Sequence, residues 1–188
     1  MSYFREIGEL FSKIEVTGSR AKVLPLEPAV KEITRDVISR TKNGAKVIFI
    51  GNGGSASIAS HMAVDFLKNG GIPALAFNDS SLLTCISNDL GYEYVFQKPL
   101  EVLAKKNDVL FTISSSGKSK NILNGTQAAK KKGCFIITFS GFKKNNPLRQ
   151  LGDINFYVPS HSYGYVEISH LAICHCIVDK IIADKKNG

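Results

Sequence analysis

The sequence predicts an α/β fold: a doubly wound parallel sheet with helices on both faces. Three observations predict it. From residue 45 onward, short apolar runs alternate with helical segments. The runs, "KVIFI" (46–50), "PALAF" (73–77), "DVLFTI" (108–113), "CFIITF" (134–139) and "INFYV" (154–158), are too apolar to face water on either side, which marks a parallel sheet. Glycine- or serine-rich turns follow the first and third runs. Right-handed crossovers bring ligands to that end of such a sheet, near a topological switch point.

Taken in order, residues 3–15 carry Phe4, Ile7, Phe11 and Ile14 at helical spacing. A looser stretch, "TGSRAKVLPLEP", follows. Pro28 suits the first turn of a second helix, with Val30, Ile33, Val37 and Ile38 on one face. "NG" at 43–44 stops it. Between the five runs, helices are expected near 55–68, 80–87, 92–104 and 119–132, and a last one near 164–184. Residues 1–44 thus read as helices packing on the domain and at an oligomer interface. Residues 45–188 read as one structural unit. With 188 residues and 44% hydrophobic content, the chain can bury one sizeable core.

Composition narrows the function. No run of about 18 apolar residues exists, so no membrane partner is expected. The opening "MSYFREIGEL" has no apolar stretch of the kind a signal peptide needs, and a cytoplasmic protein is expected. Cys85, Cys134, Cys174 and Cys176 show no CxxC spacing and read as reduced thiols, mostly buried. The formal net charge is +8, but the lysines are scattered or sit at element ends. No basic stripe interleaved with aromatics points to nucleic acid. A solvated face, with a mild pull on anionic small substrates, is the expectation.

Two loops suit a phosphate. In "GNGGS", Gly51–Ser55, glycines admit an anion close to the backbone, and the helix that follows offers unpaired N–H groups. In "SSSGKS", Ser114–Ser119, hydroxyls cluster at a helix start. The second loop is no P-loop, because Thr112 stands where that motif needs its first glycine. The first also matches G-x-G-x-x-A, with Asp79 placed like a ribose-binding acid, so a dinucleotide-binding enzyme is a competing reading. Against it, the following helix carries Ser57, His61 and Asp65 as a polar stripe that pyrophosphate binding does not need. One dinucleotide also leaves the serine loop unexplained.

The strand-"GNGGSA"-helix opening, "AFNDSSLLTCISNDLGYEYVF", "ISSSGKS" and "VPS…H…H" together resemble the SIS (sugar isomerase) domain, and within it the phosphoheptose isomerases. The resemblance covers nearly the whole chain from about residue 45, and the two N-terminal helices suit it. It implies a flavodoxin-like five-stranded sheet and a homotetramer with active sites between subunits. It also implies interconversion of sedoheptulose 7-phosphate and a heptose 7-phosphate, feeding lipopolysaccharide or capsule heptose, and a zinc ion. Matched by position, Asn52, Gly53 and Ser55 fall on the first substrate loop, and Ser114, Ser115, Ser116 and Ser119 on the phosphate-binding serines. Asp89 falls on a substrate-binding aspartate, His175 on the catalytic histidine and His61 on a zinc ligand. Three positions depart. The family has glutamate at Asp65 and glutamine at Glu167, and in some members a substrate-contacting aspartate falls on Gly164.

Aldose–ketose isomerisation moves a proton between C1 and C2 through an enediol, which calls for a base at carbon and an acid or metal at the oxygens. Asp65, His175 and Glu167 are the candidate catalytic groups, and His61, Asp65, Glu167 and His175 the candidate zinc ligands. Plainer readings exist. His61 and Asp65 can be a simple i,i+4 pair, His175 a core histidine and Glu167 a first-turn helix acid. Lys118 reads equally as a phosphate contact or a solvated lysine. His161 and His170 are expected to be structural or on the surface. Glu167 and His175, eight residues apart on one helix, are separated by about 12 Å, so one ion can hold both only if a second subunit supplies one of them. A non-catalytic SIS protein that binds the replication initiator DnaA is a further alternative. Those relatives lack the late histidine, which this chain has in His175.

Overall fold

The computed structural model describes residues 2–18 and 22–186 of the chain. The five apolar runs become β3 (Val47–Gly51), β4 (Ala74–Ala76), β5 (Val109–Ser114), β6 (Phe135–Ser140) and β7 (Ile154–Tyr157). They pair in parallel in the order β4-β3-β5-β6-β7. Counted among themselves this is 2-1-3-4-5, the flavodoxin-like winding. The chain leaves β3 toward β4 on one side and leaves β5 toward β6 on the other, so the switch point lies between β3 and β5.

Alternation along each strand splits the core into two layers. Phe49, Phe111, Ile137 and Phe139 face one side and pack with Ile33, Val37, Met62, Phe66, Ile177 and Ile181. Those partners come from α2 (Leu26–Lys42), α3 (Gly54–Lys68) and α7 (Tyr163–Lys186). Ile48, Ile50, Leu110 and Ile136 face the other side and pack with Phe96, Leu100, Ile122 and Ala129. That layer is closed by α4 (Ser80–Leu90), α5 (Gln97–Leu103) and α6 (Lys120–Lys131). Both faces of β3 and β5 are therefore dry, as their unbroken apolar sequence requires.

Among the described residues the sheet has seven strands rather than the expected five. Residues Glu15–Gly18 (β1) and Val23–Leu24 (β2) form an antiparallel pair, and β1 also pairs antiparallel with β7. The stretch expected to be loose, apart from 19–21, which lie outside the described residues, thus supplies most of an edge ribbon. Glu15 fastens it, accepting hydrogen bonds from Lys144 Nζ at 2.7 Å and Arg149 Nη2 at 2.8 Å. Burial works to raise the Glu15 carboxyl, but these two bonds outweigh it and hold its pKa below the usual range.

The first helix, α1 (Tyr3–Phe11), buries only Leu10 among its residues and leaves Phe4 82% exposed. In α2, Ala29, Val30, Ile33 and Val37 are buried, and the helix packs against α7. The expected helix over 92–104 begins instead as a 3-10 turn, Tyr92–Tyr94, before α5. Of the four free thiols, Cys134 and Cys174 are buried, whereas Cys85 and Cys176 are exposed, so "mostly buried" holds for half of them.

Candidate active site

Both phosphate-grade loops emerge at the switch point, from the ends of β3 and β5. Gly53 takes φ +54° and ψ −124° as it leads into α3, a conformation that a side chain would strain. The serine loop then meets the start of α6. Two helix N-termini, each with unpaired N–H groups and a partial positive charge, open on the same crevice. Asn52, Ser55, Ser114, Ser115, Ser116, Ser119, Tyr163 and Glu167 line this cleft of about 130 Å³. All but one of the residues expected to hold substrate from these loops are therefore in one place; Gly53 shapes the turn beside it.

The hydroxyls divide by role. Ser114 Oγ accepts from Gly117 N at 3.2 Å, and Ser116 Oγ from Lys118 N at 3.3 Å, so both shape the loop. Ser115 Oγ is buried and has no partner among the described residues. Ser119 occupies the N-cap of α6 without a capping side-chain bond. A buried hydroxyl without a partner costs roughly 1–3 kcal/mol. A bound oxyanion would satisfy it. Lys118 is exposed. Glu167 reaches across from α7 to the first turn of α3, into space that a Cβ on Gly54 would fill. Its carboxylate faces the positive end of that helix, in the cleft where the serine hydroxyls gather.

The histidines lie further along the same two helices. His61 Nε2 is 3.5 Å and His175 Nδ1 3.6 Å from Asp65 Oδ2. The two rings are 5.2 Å apart. One donor atom from each of the three residues lies within 4.8 Å of the others. Asn69 Nδ2 donates to the second oxygen, Asp65 Oδ1, at 3.1 Å and turns Oδ2 toward the imidazoles. Two imidazole nitrogens and one carboxylate oxygen, with side-chain exposures of 53% for His61 and 37% for His175, match the three-ligand, open-sided set that zinc takes in catalytic sites. Glu167 is not part of this trio within one chain.

Other expectations resolve locally. Asp79 is the N-cap of α4 and accepts from Leu82 N at 2.9 Å, so helix capping accounts for the residue that suggested a ribose. Asp89, near the end of α4, is exposed and bonded to Asn88. His161 is exposed and stacked on Phe142. His170 is fully buried. Residues that sequence reasoning missed are Asn121 and Tyr92, which bond to Asn52, Tyr163 in the cleft, and Asn69. Only Asn69, at i+4 from Asp65, left a local signal.

Comparison with known proteins identifies the family. The SIS domain family matches residues 2–141. The phosphoheptose isomerase of Helicobacter hepaticus is 38% identical over 169 residues, 87% of this chain and 86% of the relative. The structure of a phosphoheptose isomerase from Neisseria gonorrhoeae superposes with a TM-score of 0.83 at 27% identity, covering 95% of each chain. One from Francisella tularensis gives 0.83 at 29% identity, covering 97% of this chain and 95% of that one. With a family match over most of its length and relatives of this identity and coverage, the chain belongs to the SIS-domain family, among the phosphoheptose isomerases.

Proposed function

We propose that the protein interconverts sedoheptulose 7-phosphate and D-glycero-D-manno-heptose 7-phosphate, supplying heptose for lipopolysaccharide or capsule. The observation that carries the reading is one pair of helices, α3 and α7, flanking an anion cleft at one end and bearing a His–Asp–His trio further along. The named relatives support the substrate class.

In this reading the phosphate lies on the serine loop, where Ser115 and Ser119 have hydroxyls to give. From the aldose, a base takes the proton at C2. A proton is returned at C1, while the hydroxyl proton at O2 is lost and O1 gains one. Asp65, His175 and Glu167 are the groups that can carry these protons. His61, Asp65 and His175 would hold zinc, which when bound polarises the oxygens on C1 and C2. Asp65 is one methylene shorter than the family's glutamate. A misplacement of about 1 Å can cost about 100-fold in rate, so its orientation by Asn69 matters.

Asp65 lies ten residues beyond Ser55, a rise of about 15 Å along α3. A heptose chain with its phosphate extends about 10 Å from its bond lengths. A site shared between protomers, with the cleft of one facing the trio of its partner, resolves the mismatch and would bring Glu167 to a trio other than its own. The groove lined by Phe11, Leu26, Val30, Ala172 and Ile173 gives such a partner apolar surface. A homotetramer is the assembly proposed. Phosphorylated sugars are made and kept inside the cell, which gives the reading its cytoplasmic location. Incubation with sedoheptulose 7-phosphate, with and without chelator and added zinc, followed by NMR of the product, tests it. Absence of the aldose under both conditions overturns it.

A further inference from the structure

Asn52 follows β3, and Asn121 stands in the first turn of α6, behind the serine loop. They are 69 positions apart and joined by two reciprocal hydrogen bonds. Asn52 Nδ2 donates to Asn121 Oδ1 at 3.0 Å, and Asn121 Nδ2 donates to Asn52 Oδ1 at 2.8 Å. Tyr92 Oη donates to the same Asn52 Oδ1 at 3.1 Å. Asn121 is only 2% exposed, so its amide has no water to turn to.

A side-chain amide has two acceptor sites and two donors. Both acceptor sites of Asn52 are taken, by Asn121 and Tyr92, and one of its two donors is spent on Asn121. One N–H remains. Asn52 lines the serine cleft on one side and, on the other, a second cleft of about 330 Å³ bounded by Tyr92, Glu93 and Lys120. With its acceptors occupied, the side chain can meet a sugar phosphate only as a donor, and its direction is set from behind.

We infer that Asn121 and Tyr92 are positioning residues that clamp Asn52, so that its single free N–H is fixed on the bound sugar phosphate. The pair also ties the two loops together at a set separation. The role rests on the phosphosugar reading of the cleft. The residues act through Asn52 and touch no reacting atom.

The test is a double-mutant cycle on the full protein, read by KM and kcat for sedoheptulose 7-phosphate and by Kd in calorimetry. Asn52→Ala and the isosteric Asn121→Asp, which keeps the acceptor but loses the donor to Asn52, should each raise KM and Kd by roughly tenfold, with kcat nearly unchanged. Tyr92→Phe removes one hydroxyl at a half-exposed position and should raise KM a few-fold without threatening the core. In the Asn52→Ala background Tyr92→Phe should add nothing, and Asn121→Asp only the repulsion of its new charge, which high salt removes, because what they orient is gone. A merely structural role would lower the melting temperature and weaken binding equally in both backgrounds. Additive effects, about 100-fold in the Asn52/Asn121 double variant, or an unchanged KM and Kd in folded Asn121→Asp, overturn the inference. Tight binding by the wild type without turnover counts against the isomerase reading alone, and the Kd cycle still decides the clamp.

Discussion

His170 should make the protein acid-sensitive well above the range where carboxylates titrate. It lies wholly buried on α7, edge-on to Phe139, and its Nε2–H donates to the Ser140 carbonyl at 3.2 Å. Since a carbonyl can only accept, the ring is the neutral Nε2–H tautomer, and Nδ1 is left without a partner. Burial pushes its pKa down from 6.5 to about 4, against a small opposing effect of the Ser140 bond. The unfolded chain therefore binds a proton that the folded chain refuses between those values. Stability from this group is full above pH 6.5 and falls as the pH drops toward 4. At about 1.4 kcal/mol per pH unit the loss is roughly 2 kcal/mol by pH 5 and approaches 3 kcal/mol near pH 4. His170→Gln keeps a donor for Ser140 but cannot titrate. Urea unfolding at fixed protein concentration, from pH 7.5 to 5, should show the wild type losing about 2 kcal/mol more than the variant over that interval. Equal losses in the two proteins would refute the reasoning, and the acid sensitivity would then belong to other groups.

Ser115→Ala should raise the melting temperature of the ligand-free protein, because it removes a buried hydroxyl with no partner, while weakening sugar-phosphate binding about tenfold in calorimetry. A variant less stable and equally tight would take Ser115 out of the site. Asp65→Asn should lower the zinc content measured on the purified protein and reduce isomerase turnover by roughly 100-fold or more, with phosphate affinity at the serine loop nearly intact. Full metal occupancy and full turnover would leave Asp65 as a helix-face carboxylate. Glu167→Gln removes a negative charge from the anion cleft and should tighten inorganic phosphate by roughly three- to tenfold in low salt, with the gain shrinking as salt is added. Unchanged affinity would show that the carboxylate is turned away from the ligand.

The parallel sheet was legible because burial on both faces leaves nowhere for polar residues, as the five fully buried positions of β3 show. The serine and glycine loops were legible because each gathers small or hydroxyl residues into a short span between an apolar strand and a helix. The edge ribbon was not. In β1 only Val16 is buried among four residues, too few for alternation to show. Nor was the Asn52–Asn121 pairing, since two asparagines 69 positions apart carry no local pattern that distinguishes partners from turn residues. Asp79 left a second reading open for a related reason: a helix N-cap and a ribose-binding acid call for the same residue type at the end of the same strand. The His61–Asp65 spacing was visible, whereas the arrival of His175 from α7 depends on how α3 and α7 cross.

The ribbon at the sheet edge sets an order in time. β1 is made well before its partner β7, and Glu15 finds Arg149 across 134 positions of chain. Closing so long a loop comes late, after the local β-α-β units have formed. Until then β7 presents an open edge that another nascent chain can pair with, and the hairpin waits with nothing to cover. The ribbon therefore acts as a latch thrown late in folding, and the yield of native protein, more than its final stability, is what a weakened Glu15 should change.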